Sequence, residues 1–151
     1  MHTNLDFTNV TEQPGQKATE DQLSIMMTRY ALAKDRSNNK KVLELASGSG
    51  TGLGYLAEVA SQVTGGDIDP ALVNIAAKTY HDSKNVDVLQ LDAHQLPFKE
   101  NSYDLVLLFE AIYYLSDVTK FLNEVKRILT NKGELIIVTV NCQWHGFNKS
   151  P

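Results

Sequence analysis

Cysteine is almost absent from this chain. Cys142 stands alone in 151 residues, so no internal disulfide can form and no thiolates are spaced to hold a metal. Histidine is equally thin, with His2, His81, His94 and His145 scattered along the chain, and no metal is expected. Positive charge is in deficit. The 14 Lys and Arg against 18 Asp and Glu leave a net charge of −4, so the basic footprint that nucleic acid or an anionic membrane would require is missing. This argues against electrostatic scanning of DNA or RNA. No apolar run reaches membrane-spanning length, and the N-terminus is polar rather than signal-like. No membrane partner is expected, and a cytoplasmic location is the default. Length fits one domain, and a hydrophobic content of 42% can support its core.

The most informative stretch runs from Lys41 to Gly52. Lys41-Val42-Leu43-Glu44-Leu45 reads as a buried strand, and Gly48, Gly50 and Gly52 then fall at alternate positions. From Leu53 to Ala60 the chain reads as the start of a helix that ends near Gln62. Strand, glycine loop and helix form an opening suited to an anionic ligand. The loop backbone can be approached closely, and the amides of the helix N-terminus are unpaired. The spacing is not that of the dinucleotide fingerprint, because Leu53 stands where its third glycine would be. Glu44 would repel phosphate and attract a cationic amine. A ligand carrying both a carboxylate and an ammonium fits better, and S-adenosylmethionine is such a ligand. The bland alternative is a glycine-rich turn with no ligand.

The remaining chain alternates helix and strand. Residues 1–19 read as a flexible polar arm. Leu23, Met26, Met27, Tyr30 and Ala31 recur at helical spacing between Glu20 and Lys34, and this helix reads as packing on the sheet. A second strand spans Val63–Ile68. Asp69 and Pro70 then start a helix that runs to Tyr80. Asp67 therefore lies at the C-terminal end of the second strand, about 20 residues beyond the glycine loop, where an acid grips a ribose. A third strand, Val86–Leu91, leads into Asp92, a carboxylate placed to accept from an adenine amine. His94 in the following loop reads as solvated. Tyr103–Phe109 is apolar enough for a central strand, and Glu110, Tyr113 and Tyr114 sit beyond its end. Asp117 caps an amphipathic helix carrying Val118, Phe121, Leu122, Val125, Ile128 and Leu129, with Gly133 as its left-handed terminator. Glu134–Val140 reads as the fifth strand, and residues 141–151 as an irregular tail. Five strands alternating with helices predict an α/β fold, a doubly wound, Rossmann-like three-layer sandwich with a mainly parallel sheet and a core over residues 20–140.

The glycine loop, Asp67, the run Asp92-Ala93 with Leu96-Pro97-Phe98, and the helix Glu124-Val125-Lys126-Arg127-Ile128-Leu129 together resemble the class I S-adenosylmethionine-dependent methyltransferases. The resemblance covers residues 40–140. It implies S-adenosyl-L-methionine as cofactor and a methyl transfer by in-line displacement to a small-molecule acceptor. It implies a cofactor site made of Glu44, Ala46, Gly48, Ser49, Gly50, Asp67, Ile68, Asp92, Ala93 and Phe109. No catalytic residue is assigned, with Glu110, Tyr113 and His145 as the candidate bases. Ala46 stands where the family has glycine, and a left-handed conformation there would cost about 1–2 kcal/mol. The family's sheet has seven strands, two more than this chain supplies. The uncovered sheet edge is expected to be closed by a further C-terminal segment of a longer protein or by a second subunit. Two rival readings are a module that binds the cofactor or a partner without turnover, and a nicotinamide-dependent oxidoreductase, which the glycine spacing and Asp92 disfavour.

Overall fold

The computed structural model describes residues 5–6, 17–18 and 20–140. Within the expected arm, β1 (Leu5–Asp6) pairs antiparallel with β2 (Lys17–Ala18). The rest of the arm expected to be flexible, and the tail expected to be irregular, with Cys142 and His145, lie outside the described residues.

The chain then runs through α1 (Glu20–Ser37), β3 (Lys41–Leu45), α2 (Leu53–Ala57), β4 (Gln62–Asp67), α3 (Pro70–Thr79), β5 (Val86–Gln90), β6 (Tyr103–Phe109), α4 (Val118–Ile128) and β7 (Leu129–Val138). Among the described residues the main sheet has five strands in the order β5-β4-β3-β6-β7, and every pairing is parallel. The fold is the expected doubly wound α/β sandwich. The chain winds from β3 outward to β5, returns to the other side of β3 with β6, and finishes with β7. Neighbouring strand ends therefore diverge between β3 and β6, where a doubly wound sheet opens a crevice.

Side-chain alternation along β3 divides the core. Val42 faces Leu53 and Leu56 of α2 and Tyr30 and Ala33 of α1, while Leu43 and Leu45 face Phe121, Val125 and Ile128 of α4. Burying each of these leucines contributes about 2 kcal/mol. Tyr30 and Ala33 lie in the core, so α1 is a packed element of the sandwich.

Several boundaries differ from expectation for local reasons. Helix α1 continues to Ser37, whose hydroxyl donates to the Ala33 carbonyl (2.7 Å), and the chain turns at Asn39 with φ +55°. Helix α2 stops at Ala57, where the Asn85 side-chain amide donates to the freed carbonyl of Ala57 (2.9 Å). Helix α4 ends at Ile128, because Leu129 is already paired with Tyr103 in β7. Gly133 is not the left-handed terminator. It lies within β7, where the register shifts between Tyr103 and Leu105.

The link between β5 and β6 carries no helix and is held from outside. The Arg127 guanidinium donates to Glu124 Oε1 and Oε2 (2.9 and 2.8 Å) and to the carbonyls of Leu96 (2.9 Å) and Phe98 (2.6 Å). Glu124 Oε2 also accepts the Leu96 amide at 2.7 Å. The bonds from Arg127 hold the Glu124 carboxyl down at about 2, against an ordinary 4.5. Its stabilising contribution is complete above about pH 4.5 and is lost as the pH falls towards 2. Arg127→Ala is expected to destabilise the chain by about 1–2 kcal/mol at pH 7, the lower part of the range for charged hydrogen bonds because the pair is partly exposed. The gap to the parent should close between pH 4.5 and 2. Thermal melts across that range measure it, and a gap unchanged by pH would refute the assignment.

Candidate functional site

The C-terminal ends of β3, β4 and β6, with the loop after β5, surround a cleft of about 430 Å³. Its shape begins with the loop after β3. Ala46 takes a left-handed conformation with φ +55°, Gly48 has φ +57° and Gly50 φ +80°. The Ala46 side chain therefore bears the strain that a glycine would avoid. A Cβ built at Gly48 would meet nothing within 4 Å, so the loop backbone is open above it. At Gly52 the constraint is closeness, since a Cβ there would lie 1.9 Å from the Tyr30 ring. Tyr80, beyond the end of α3, braces the loop. Its hydroxyl donates to the Gly50 carbonyl (2.7 Å) and accepts the Gly54 amide (3.0 Å).

Asp67 is 8% exposed. Its Oδ2 accepts the Gly48 amide and its Oδ1 the Asp69 amide, each at 2.9 Å. A carboxylate offers about four acceptor sites, so these two bonds leave capacity for a ligand. Asp69 caps α3 by accepting the Ala71 amide at 2.8 Å. Asp92, at the end of the third strand region, accepts through Oδ1 both the amide and the Nδ1 of His94, each at 2.8 Å. These two bonds, the backbone one first, hold the Asp92 carboxyl below its ordinary value.

Of the residues expected at the site, Ala46, Asp67, Ile68, Asp92 and Ala93 line the cleft together. Ile68 lies just beyond β4 rather than in it and is 66% exposed, an apolar face offered at the mouth. Gly48, Ser49 and Gly50 form the loop at its side, not its lining. The floor is Leu45, Leu91 and Leu108, and one wall is the turn carrying Ala111, Tyr114 and Leu115. The sequence does not assign the leucines Leu45, Leu91 and Leu108 to the site, although their place at strand ends is the available signal, whereas Ala111 and Tyr114 belong to the stretch expected at the mouth of the sheet. It also took His94 as solvated. His94 lines the cleft, and its Nε2 lies 3.3 Å from the Asp117 amide.

Glu44 and Phe109 stand apart, on the face of the sheet beneath α1. Glu44 is 2% exposed, and Oε1 accepts the Tyr30 hydroxyl at 2.5 Å. Burial raises its carboxyl from 4.5 to about 7, and the bond from Tyr30 and the charge of Arg29 only partly oppose this. Phe109 meets the Tyr30 ring edge-on at 5.3 Å, and the Arg29 guanidinium lies 5.7 Å above the Phe109 ring. Arg29 stands 3.7 Å from Glu110, whose backbone is also left-handed at φ +50°. Glu44 Oε2, Glu110 Oε2, Arg29 Nε and Ser47 Oγ are buried without a hydrogen-bond partner among the described residues. Glu44 is engaged by Tyr30 through its other oxygen and Glu110 faces Arg29, and this cluster lies beside the left-handed backbones of Ala46 and Glu110.

The family model described as "Methyltransferase domain" matches residues 43–137. The chain belongs to the methyltransferase domain family. It is 36% identical over 107 residues to a probable phthiotriol/phenolphthiotriol dimycocerosates methyltransferase 2 of Mycobacterium ulcerans, covering 70% of this chain and 41% of that protein. It is 34% identical over 103 residues to a demethylmenaquinone methyltransferase of Thermotoga maritima, covering 67% of this chain and 44% of that one. A solved SAM-dependent methyltransferase from Aquifex aeolicus superposes with a TM-score of 0.70 at 24% identity, over 85% of this chain and 69% of its own, which shows the shared fold. The chain spans about two fifths of the length of the curated relatives it matches. Family membership leaves the nicotinamide-dependent alternative without support.

The residues present fit S-adenosylmethionine, the cofactor of this methyltransferase family. The Gly48 backbone is open, Asp67 keeps acceptor capacity, and the buried Glu44 Oε2 has no hydrogen-bond partner among the described residues. No group of three or more His, Cys, Asp or Glu that would hold a metal occurs among the described residues, and no described helix is long and apolar enough to cross a membrane.

Two measurements test this geometry. Ala46→Gly relieves about 1–2 kcal/mol of backbone strain and adds about 0.5–1 kcal/mol of chain entropy to lose, so it should stabilise the chain by about 0.5–1 kcal/mol. A melting temperature at or below the parent's would mean that Ala46 is unstrained. The Glu44 carboxyl is raised in the folded chain, so its contribution to stability is full below about pH 4.5 and lost as the pH rises through about 7. Glu44→Gln should therefore gain on the parent by up to about 3 kcal/mol at pH 8 and show no gain at pH 4. Parallel stability profiles would overturn the burial of a charged Glu44.

Proposed function

We propose that this chain is the cofactor-holding core of a methyltransferase that acts on a small, predominantly apolar acceptor in the cytoplasm. The observation that carries this reading is the pair Asp67 and Asp92, set at successive strand ends around one cleft beside an open glycine loop. When bound, S-adenosylmethionine supplies a sulfonium methyl that is electrophilic at carbon. Asp67 would accept from the ribose hydroxyls, Asp92 from the adenine amine, and the amides of Gly48, Ser49 and Gly50 would face the carboxylate and ribose. Glu44 would answer the ammonium. Ala46 and Ala93 are small enough for close approach and Ile68 offers an apolar face, while Phe109 would act only from its buried place beneath α1.

The chain's own work is placement and the exclusion of water. The leucine floor dries the cleft. Tyr113 and Tyr114, packed edge-on at 4.6 Å and exposed by 53% and 66%, form an aromatic rim for a flat or greasy acceptor. The printed names of the relatives, a dimycocerosates and a demethylmenaquinone methyltransferase, support an apolar acceptor. Neither Glu110, which faces Arg29, nor His94, with both ring nitrogens engaged, is poised as a general base. The acceptor would then arrive already nucleophilic. The core is taken as residues 20–140, with the exposed edge of β7 covered by further chain or a second copy.

The enclosure of Glu44 by Tyr30 favours a second reading, a module that holds cofactor or partner without turnover. Methylated product from any apolar acceptor would exclude it. Asp67→Ala is expected to weaken S-adenosylhomocysteine binding about ten- to a hundredfold, the loss of a charged hydrogen-bond pair. Calorimetric titration measures it, and a change under twofold would sink the ribose assignment.

A further inference from the structure

We infer that His94 is a positioning residue, holding the cleft carboxylate of Asp92 in place by bridging it to the first turn of α4. The inference rests on the reading that Asp92 takes the adenine amine. Three contacts define the bridge. The His94 amide and its Nδ1 both lie 2.8 Å from Asp92 Oδ1, and the Asp117 amide lies 3.3 Å from His94 Nε2. An amide nitrogen only donates, so Nε2 accepts, and in a neutral ring the proton sits on Nδ1, aimed at Asp92. Asp117 is itself fixed, because it caps α4 by accepting the Lys120 amide at 2.9 Å. A continuous line of donors and acceptors thus runs from the helix, through the imidazole, to the acid in the cleft.

The geometry also selects which oxygen is offered. Both bonds from His94 fall on Oδ1, and Oδ2 takes neither. The Asp92 side chain is 50% exposed, whereas the His94 ring is 17% exposed. An acid that open would turn freely in water without a partner, and a ligand would have to immobilise it on binding. The ring and the Asp117 amide do so in advance. Asp117 follows Leu115 of the opposite wall by two residues, so the same line ties Asp92 to the chain that leaves that wall.

The test uses the full chain and two nucleosides, S-adenosylhomocysteine and S-inosylhomocysteine, in which oxygen replaces the adenine amine. His94→Ala is expected to weaken S-adenosylhomocysteine by about three- to tenfold, a fraction of one charged hydrogen bond, and to move S-inosylhomocysteine by less than about twofold. His94→Asn places an amide donor near the Nδ1 position and is expected to restore most of the loss. Equal weakening of both nucleosides by His94→Ala, or no weakening of either, would overturn the inference. A separate measurement needs no ligand. Long-range nitrogen–proton NMR should find the His94 proton on Nδ1, with its shift changed by Asp92→Asn, and a proton on Nε2 would overturn the bridge. If the parent binds neither nucleoside, the cofactor reading of the cleft fails, and the NMR result alone decides whether His94 holds Asp92.

Discussion

One carboxylate fastens the two loops on which this site depends. Asp67 accepts the amide of Gly48 from the loop after β3 and the amide of Asp69 at the start of α3. The strands bring these loops near each other, but ladder bonds end at Leu45 and Asp67, and the chain beyond is irregular. Two backbone bonds to one buried acid stop the loops from splaying. A proposed ribose acceptor whose orientation is already fixed spends little binding energy on its own ordering.

The same device recurs across the cleft with different chemistry. The loop after β5 has no helix to pack, and the Glu124–Arg127 fork reads its backbone directly, through the amide of Leu96 and the carbonyls of Leu96 and Phe98. His94 ties the start of that loop to Asp117. Helix α4 thus serves two purposes, an apolar stripe on the sheet and a polar side that holds a loop. On the opposite face α1 meets the sheet partly through polar groups, Tyr30 on Glu44 and Arg29 facing Glu110, while Lys34 pairs with Glu58 at the end of α2. Among the described residues, that cluster leaves Glu44 Oε2, Glu110 Oε2 and Arg29 Nε buried without a hydrogen-bond partner.

The fold was legible because its signals are local. Apolar strands, a glycine loop, Asp69-Pro70 and the stripe of α4 each report on neighbours within one element. Asp67, Asp92 and their small partners Ala46 and Ala93 could be placed at one cleft because strand ends in a parallel sheet converge. What escaped depends on distant residues. Glu44 reads as a ligand acid, and nothing near it in sequence announces that Tyr30 will close over it. His94 reads as solvated because Asp117 becomes its neighbour only when β6 and α4 are in place. Gly133 had the right chemistry to end a helix, but pairing of Leu129 with Tyr103 drew the chain into β7 before the helix could reach it. Tertiary pairing overrode a local stop signal.

The strand order also bears on how the chain reaches this state. Strands β3, β4 and β5 can pair as they are made, each with a neighbour only one helix away. Strand β6 must return past both to find β3, with Leu108 meeting Leu45. Closing so long a loop delays the reward for the entropy spent, and such non-local pairing slows folding. Until β6 arrives, one side of β3 lacks its ladder and the leucines later hidden beneath α4 lie bare. The bonds of Asp67 thus rest on strands joined by single helices, whereas the brace on Asp92 through His94 needs Asp117, which lies beyond β6.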